Sequence, residues 1–316
     1  MRFTEIEPIK NLLLNEEVVA IPTETVYGLA ANIFSDNAIK KIFELKKRPF
    51  FNPLIVHIKS INYINHVAEE VPEAALKLAK AFWPGPLTLV LKKKPNVSDL
   101  ITGGKNTVGI RVPNHALTLS LLNALDCPLA APSANTFQSI SPTLPAHVEK
   151  NFGQNVAILD GGSCKLGLES TILGFEKEKV ILYRFGAISI EEIEKVVGKV
   201  HIQNNENVNP NAPGMLSKHY SPFTKIILTS DLKSEILKFQ DSKIGVLQFR
   251  NMVKENQVYK IETLSENGDL SEAATNFYNA LHLLDLSALD LIIAEKLPNV
   301  GLGKTINDRL TRAISR

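Results

Sequence analysis

Lys46-Lys47-Arg48-Pro49-Phe50-Phe51-Asn52-Pro53-Leu54-Ile55-Val56-His57-Ile58 joins a helix end, a proline-bounded turn and a strand, and that succession decides the fold class. Upstream, Ile39, Ile42 and Phe43 fall on one face of a helix over Asp36 to Lys46. Pro49 and Pro53 restrict the chain directly after the charges, so it turns through Phe50-Phe51-Asn52 and enters a strand. In that strand Leu54, Val56 and Ile58 share one side while Ile55 and His57 share the other. Basic residues at a helix end are ordinarily solvated and complement the helix dipole. The two prolines point elsewhere: they hold Lys46, Lys47 and Arg48 at a sheet edge, where phosphates commonly bind.

Outward from this run, short β-rich stretches keep alternating with helical patterns, which predicts an α/β or α+β domain with no internal repeat. Val18 to Ile21 reads as a strand followed by a Pro22-Thr23-Glu24-Thr25 turn. Trp83-Pro84-Gly85-Pro86 breaks a helix, and Leu87 to Lys92 resumes a strand. Val108, Ile110 and Val112 alternate with Gly109 and Arg111, so a strand there buries three aliphatics and points Arg111 off the other face, where it can meet an anion. Regular patterning collapses from Gly198 to Ser221, where five asparagines fall between Asn204 and Asn211 beside Pro210, Pro213 and Gly214. That is linker chemistry. The predicted organisation is a first domain over 1–197, a linker over 198–222 and a second domain over 223–316. In the second, strands at Lys225 to Thr229, Lys243 to Phe249 and Leu291 to Glu295 alternate with helices at Ser271 to Leu284 and Thr305 to Ile314, which suggests a small Rossmann-like sheet.

A chain of 316 residues is about twice a typical domain, in keeping with this division. Hydrophobic residues at 44% and charged residues at 22% place it among folded globular proteins. The 35 Lys and Arg nearly balance the 33 Asp and Glu, so no global field exists to hold a nucleic-acid backbone, and any RNA contact would come from a local patch. Cys127 and Cys164 are too few for a disulfide framework or a structural zinc site, read as packing residues, and fit a reducing compartment. No run reaches about 18 apolar residues and no signal core is visible near Met1. The expectation is a cytoplasmic protein without a membrane span.

Two further stretches carry candidate chemistry. Ala131-Pro132-Ser133-Ala134-Asn135 and Ser139-Ile140-Ser141-Pro142-Thr143 set hydroxyl and amide side chains between prolines. Each alone is a common turn former, but their density suggests a polar-lined pocket. Asp160-Gly161-Gly162 and Gly167-Leu168-Glu169-Ser170-Thr171, with Arg184 beyond, combine glycines with polar groups. Glycine amides can approach an anion closely, and a glycine pair can equally mark a turn.

Read together, these residues resemble the YrdC-like threonylcarbamoyl-AMP synthases in their longer two-domain form. The matching stretches are IPTETVYGLAAN from Ile21, KKRPFFNPLIVHI from Lys46, FWPGPLTLVL from Phe82, VGIRVPNH from Val108, APSANTFQSISPT from Ala131, LDGGSCKLGLESTI from Leu159 and APGMLSKHYSP from Ala212. The resemblance implies a twisted mixed sheet around a cationic cavity, with a small Rossmann-like α/β domain behind it. It implies an ATP site from Lys46, Arg48, Ser133 and Asn135, with Asn52, Thr107, Ser141, Arg184 and Tyr220 nearby, and a catalytic role for Lys46 and Arg48. It implies an L-threonine site from Thr25, His57, Arg111, Ala131, Ser170 and Thr171, Arg111 pairing with the substrate carboxylate. Without the resemblance, His57 is an ordinary hydrogen-bonded strand residue. Bicarbonate is the third implied substrate, and Mg2+ the implied cofactor, held mainly by ATP phosphates rather than by a protein metal site. The expected partners are the downstream machinery that transfers threonylcarbamoyl to tRNA. A weak tRNA contact, or double-stranded RNA binding at the level of the fold, is a further expectation.

The linker of relatives folds across the nucleotide pocket, which makes a lid of the segment containing His219 and Tyr220. Two positions depart from the pattern: Phe185 stands where many relatives carry proline, and Leu216-Ser217 fills a stretch often basic or aromatic. Gly301-Leu302-Gly303-Lys304-Thr305 imitates a phosphate loop, but Pro298 replaces the first glycine that such a loop needs. Two rival readings were weighed. An RNA-binding module lacks aromatic-basic interleaving here, and a carbamoyl-transfer enzyme of hydrogenase maturation would add zinc-finger modules that two cysteines cannot supply.

Overall fold

The computed structural model describes residues 1–203, 219–239, 241–254 and 258–314. In the first domain the chain runs β1 (Arg2–Phe3), α1 (Ile6–Leu14), β2 (Val19–Ile21), β3 (Gly28–Asn32), α2 (Asp36–Lys46), β4 (Ile55–His57), α3 (Glu73–Phe82), β5 (Leu87–Lys92), α4 (Asp99–Thr102), β6 (Thr107–Arg111), α5 (Ala116–Ala124), β7 (Leu129–Ala130), α6 (Pro145–Phe152), β8 (Ala157–Leu159), β9 (Thr171–Glu176), β10 (Lys179–Arg184), α7 (Ile190–Val197) and β11 (Val200–Ile202). These strands form one 11-stranded mixed sheet in the order β1-β8-β2-β3-β7-β4-β6-β5-β9-β10-β11. β4 and β6 are parallel with His57 opposite Arg111, so two expected site residues lie side by side on adjacent strands.

The helix predicted to end in basic residues does so because of its caps. Ser35 accepts the Ala38 N–H at the start of α2, and Lys47 takes the left-handed conformation, φ 52°, at its end. That turn separates the three basic residues: Lys46 and Arg48 are buried while Lys47 is exposed. Ile39, Ile42 and Phe43 fill the main core with Leu54, Val56 and Ile58, as their periodicity required.

The expected linker begins later than its composition suggested. Val200–Ile202, assigned to the linker by the glycine and asparagines around it, instead pairs parallel with β10 as the edge strand β11. The alternation of Val200 and Ile202 about His201 is a strand pattern too short to stand out beside five asparagines. Residues 204–218 of that linker, including Leu216 and Ser217, lie outside the described residues.

The second domain contains β12 (Ile226–Thr229), α8 (Leu232–Ile236), β13 (Ile244–Gln248), β14 (Lys260–Thr263), α9 (Leu270–Asp285), β15 (Leu291–Glu295) and α10 (Leu302–Ile314). Its four strands form a parallel sheet in the order β12-β15-β13-β14. β14 and α8 went unread because neither has a sustained apolar period, and α10 begins three residues before the expected Thr305, at Leu302. Lys304 in the phosphate-loop imitation donates to Glu191 at 2.6 Å across the domain junction.

The domains share a core. Val26, Ile140, Leu168 and Tyr220 pack with Phe277, Tyr278, Leu281, Ile306 and Leu310 of the second domain. Gly167 (φ +69°) permits the closest approach: a Cβ there would meet the Ala274 and Thr275 carbonyl oxygens at 2.5 Å. His147 of α6 stacks on His282 of α9 with ring centroids 3.8 Å apart, and His282 Nε2 lies 3.2 Å from the Ser141 carbonyl.

Burial lowers the pKa of His147 to about 3, helped by His282 and Lys150, and burial likewise lowers that of His282 to about 4. His57 falls to about 3, through burial and then the charge of Arg111. All three stay neutral in the fold while the unfolded chain takes up protons below about pH 6.5. Their contribution to stability is therefore complete above that pH and is lost as pH falls towards 3 to 4. Each steepens the loss by up to about 1.4 kcal/mol per pH unit. Thermal unfolding at fixed ionic strength should show a midpoint that drops from pH 7 to pH 5, with a shallower slope in His147→Phe. A flat midpoint across that range contradicts the assignment.

Candidate functional site

Three guanidinium groups converge on one cavity. Its wall is made by Thr25, Val26, Arg48, Ile55, His57, Arg111, Ala131, Pro132, Ser133, Glu169, Ser170, Arg184, His219 and Tyr220. The three arginines stand at element ends: Arg48 in the turn after α2, Arg111 at the end of β6, Arg184 at the end of β10. Arg48, Arg111 and Arg184 are all buried, at 6%, 4% and 7% exposure.

Arg48 is held from below by carbonyls: Nε donates to Asn52 at 3.1 Å and Nη2 to Pro53 at 2.7 Å. The proline-bounded turn thus bends back and grips the arginine that precedes it. Burial, and then the neighbouring charge of Arg184, lower the Arg48 pKa. Crowding two cations without water is unfavourable, and an anionic ligand relieves it.

Lys46 occupies a different place. Its Nζ donates to the Ser133 and Asn135 carbonyls, both at 2.5 Å, tying the end of α2 to the hydroxyl-rich loop. Burial, then Arg48, push its pKa well below the usual lysine value. The side chain therefore shapes the loop that carries Ser133 onto the cavity wall, and Lys46 itself is not on that wall.

Arg111 pairs with Glu24, its Nη2 lying 2.7 Å from Oε1, while its Nε donates to the Gly85 carbonyl at 3.2 Å. The pair is buried on both sides, at 4% and 5% side-chain exposure, so the two charges face each other without water. A planar guanidinium in that state is suited to a ligand carboxylate. Thr25, entirely buried, shares a hydrogen bond of 2.8 Å with Thr23, which in turn closes the turn through the Val26 carbonyl at 2.7 Å. Neutral His57 stands beside Arg111, its Nδ1 3.3 Å from the Ile55 carbonyl.

Behind the guanidinium groups sits Glu169, 5% exposed. Ser141 Oγ donates to it at 2.6 Å, Arg309 Nε at 3.0 Å and the Tyr278 hydroxyl at 2.8 and 3.0 Å. Arg184 donates to the Ser170 carbonyl from Nε and Nη2 and to Ser170 Oγ at 3.1 Å. Ser170 Oγ shares a further bond of 2.7 Å with Thr88. Tyr220, at 1% exposure and φ 64°, packs its ring 4.0 Å from His219, and its hydroxyl has no hydrogen-bond partner among the described residues. A non-glycine residue in the left-handed region is strained, and such strain gathers at binding sites. Ser221 anchors it, donating from its N–H to Gln138 at 2.8 Å and from Oγ to Ala313 at 3.1 Å.

The residues expected to bind an amino acid, Thr25, His57, Arg111, Ala131 and Ser170, lie on the cavity wall together with Arg48, Ser133, Arg184 and Tyr220. Six others do not reach it. Lys46 and Asn135 brace the loop; Ser141 is spent on Glu169; Thr171 donates to Ile188 at 2.7 Å; and Thr107 starts β6, opposite Lys92. Asn52 is wholly buried with both amide atoms unpartnered, directly beneath Arg48. Asp160-Gly161-Gly162 resolves as a turn: Tyr27 donates to the Gly162 carbonyl at 2.8 Å and accepts the Gly161 N–H at 3.1 Å. Glu24, Glu169, Tyr278 and Arg309 were not foreseen. The first two sit inside stretches already singled out, where the neighbouring hydroxyls drew the reading; the last two lie in helices whose patterns show only a buried face.

Among the described residues no helix is long and apolar enough to cross a membrane. Residues 11–186 match a family described as "Telomere recombination", and residues 188–315 match "Threonylcarbamoyl-AMP synthase, C-terminal domain". A protein of Pyrococcus abyssi named threonylcarbamoyl-AMP synthase is 40% identical over 312 residues, covering 94% of this chain and 90% of its own. A Bacillus subtilis protein of the same name is 39% identical over 313 residues, covering 96% and 90%. The crystal structure of P. abyssi Sua5 complexed with L-threonine superimposes with a TM-score of 0.92 at 38% identity, covering 98% of this chain and 94% of that one.

Glu24 and Arg111 form a buried pair, so removing one partner strands the other's charge. Arg111→Met should lower unfolding free energy by about 3 to 5 kcal/mol in urea titrations. Adding Glu24→Gln should restore most of it. A loss under about 1 kcal/mol in the single variant contradicts the pairing.

Proposed function

The chain belongs to the two-domain threonylcarbamoyl-AMP synthase family, and on that premise we propose that it joins L-threonine, bicarbonate and ATP into threonylcarbamoyl-AMP with release of pyrophosphate and water. The observation that carries this reading is the convergence of Arg48, Arg111 and Arg184 on a single buried cavity flanked by Thr25, Ser133 and Ser170. Such a cavity suits two anions held side by side, a carboxylate and a triphosphate.

The threonine carboxylate would meet the guanidinium of Arg111 beside its Glu24 partner, while neutral His57 offers no competing cation. Thr25, Ala131 and Ser170 would line the remainder of that pocket. The triphosphate would lie towards Arg48 and Arg184, with Ser133 and Tyr220 within the same hollow and Asn52 behind Arg48. Lys46, Asn135, Ser141, Thr107 and Thr171 would act one layer back, holding these groups in place.

In this reaction the threonine nitrogen attacks bicarbonate carbon, and loss of water leaves a carbamate. A carbamate oxygen then attacks the α-phosphorus, and the bond to the bridging oxygen breaks to expel pyrophosphate. The enzyme is in this sense a nucleotidyltransferase, and no covalent bond to the protein is required. Its contribution is to hold the reactants in line and offset charge on the transferring phosphate, which in a dry site outweighs what the same donors achieve in water. Among the described residues no cluster of acidic, histidine or cysteine side chains could hold a metal ion. Magnesium, in this proposal, arrives on the ATP phosphates and neutralises part of their charge. The adenylate would pass to the machinery that modifies tRNA, with any tRNA contact by this chain weak and local.

Purified protein incubated with ATP, magnesium and labelled bicarbonate should form an acyl-adenylate detectable by mass with threonine among single amino acids, without RNA. Carbamoyl phosphate should not replace bicarbonate. Arg48→Ala should slow pyrophosphate release roughly a hundredfold, the consequence of losing about 3 kcal/mol of transition-state stabilisation. Product formation that ignores the amino acid supplied, or near-normal release by that variant, contradicts the reading.

A further inference from the structure

Glu169 is the acidic side chain on the cavity wall among the described residues, and the proposed reaction gives it no task. A carboxylate facing a triphosphate repels it, and a carboxylate free to pair with Arg184 would occupy a cation that the ligand needs. The surroundings of Glu169 counter both, sharing its charge among donors besides Arg184. Ser141 reaches it from the first domain, but the charged donor, Arg309, and the phenol of Tyr278 reach it from the second.

Arg309 is entirely buried and touches two residues of the cavity wall and the loop that follows a third. Nε meets Glu169 Oε2 at 3.0 Å, and Nη2 donates at 2.6 Å to the carbonyl of Phe185, the residue after Arg184. Its Cζ lies 4.7 Å over the ring of Tyr220, while Nη1 pairs with Asp308 at 2.5 Å. Thr305, one turn earlier on α10, donates to Gly186 at 3.0 Å, so the loop leaving Arg184 is held at two successive residues. A fully desolvated guanidinium is a costly way to glue domains, since apolar side chains of similar volume do so at least as well. Burial would raise the Glu169 pKa, but Arg309, then Arg184, Ser141 and Tyr278, outweigh it and keep the carboxyl below the ordinary range.

We propose that Arg309 and Tyr278 of the C-terminal domain are positioning residues of the nucleotide pocket, which neutralise and orient Glu169 so that Arg184 is left set for the phosphates. The inference rests on the functional reading above. The C-terminal domain is then a working wall of the catalytic site rather than an appended module, and the pocket is incomplete without it.

The test varies ATP and threonine separately in the full-length enzyme. Arg309→Met, which keeps length and loses charge, should raise KM for ATP about tenfold or more while KM for threonine stays within about twofold. Glu169→Gln added to Arg309→Met should bring KM for ATP back most of the way, because the repelling charge is gone. Tyr278→Phe, which keeps the ring, should raise KM for ATP about threefold with no change in thermal midpoint beyond a few degrees. A domain clamp without electrostatic duty predicts the reverse: both KM values move together, and the second substitution makes matters worse. Either of those results, or an unchanged KM for ATP in Tyr278→Phe, overturns the proposal. Should Arg309→Met fail to fold, Tyr278→Phe and ATP titration of that variant decide alone. A wild-type protein that makes no acyl-adenylate strikes the functional reading, and the dissociation constant for ATP, measured calorimetrically on the same variants, then still reads whether Glu169 neutralisation governs the pocket.

Discussion

Positive charge without water is the constraint around which this molecule is arranged. Arg48, Arg111, Arg184 and Arg309 are all nearly or fully buried within one region, along with Lys46. Two buried carboxylates, Glu24 and Glu169, answer them directly. Isolated buried charges are prohibitive, so each cation must be paid in hydrogen bonds. The fold supplies them as backbone carbonyls: Asn52 and Pro53 for Arg48, Ser133 and Asn135 for Lys46, Gly85 for Arg111, Ser170 for Arg184 and Phe185 for Arg309. Carbonyl dipoles orient a cation without neutralising it, which leaves a residual demand for an anion.

That demand explains why irregular backbone crowds the site. A regular sheet consumes its own carbonyls, and those offered to the cations come from strand ends and turns. The 11-stranded sheet brings these ends together, with His57 and Arg111 in register on β4 and β6 and Arg184 at the end of β10. The second domain closes the remaining side. Gly167 allows α9 to approach the loop that carries Glu169, and the shared apolar core around Leu168, Tyr220 and Phe277 fixes that approach.

Much of this was legible in the sequence where a local pattern and a global requirement coincide. The helix over Asp36–Lys46 and the strands over Leu87–Lys92 and Leu291–Glu295 appear with the bounds that their periodicity and flanking prolines or charges suggested. The grouping of Arg48, His57, Arg111 and Ser133 into one site was implied by the family resemblance of the stretches that carry them, and not by their composition or periodicity. What escaped was long-range pairing. Nothing in Leu302–Ile314 tells that Arg309 faces a glutamate 140 positions earlier, since a buried arginine and an exposed one look alike in an amphipathic helix. Lys46 shows the converse: its motif singles it out, but only the fold shows that its ammonium is bound to carbonyls of the neighbouring loop. The short strand Val200–Ile202 was hidden by the asparagines that follow it.

The most direct measurement is a crystal structure of the protein soaked with threonine and a non-hydrolysable ATP analogue. The account predicts the amino-acid carboxylate on Arg111 and the phosphates within hydrogen-bond reach of Arg48 and Arg184, with Glu169 still bound to Arg309. Ligands found elsewhere, or a cavity that stays empty at saturating concentrations, would contradict it.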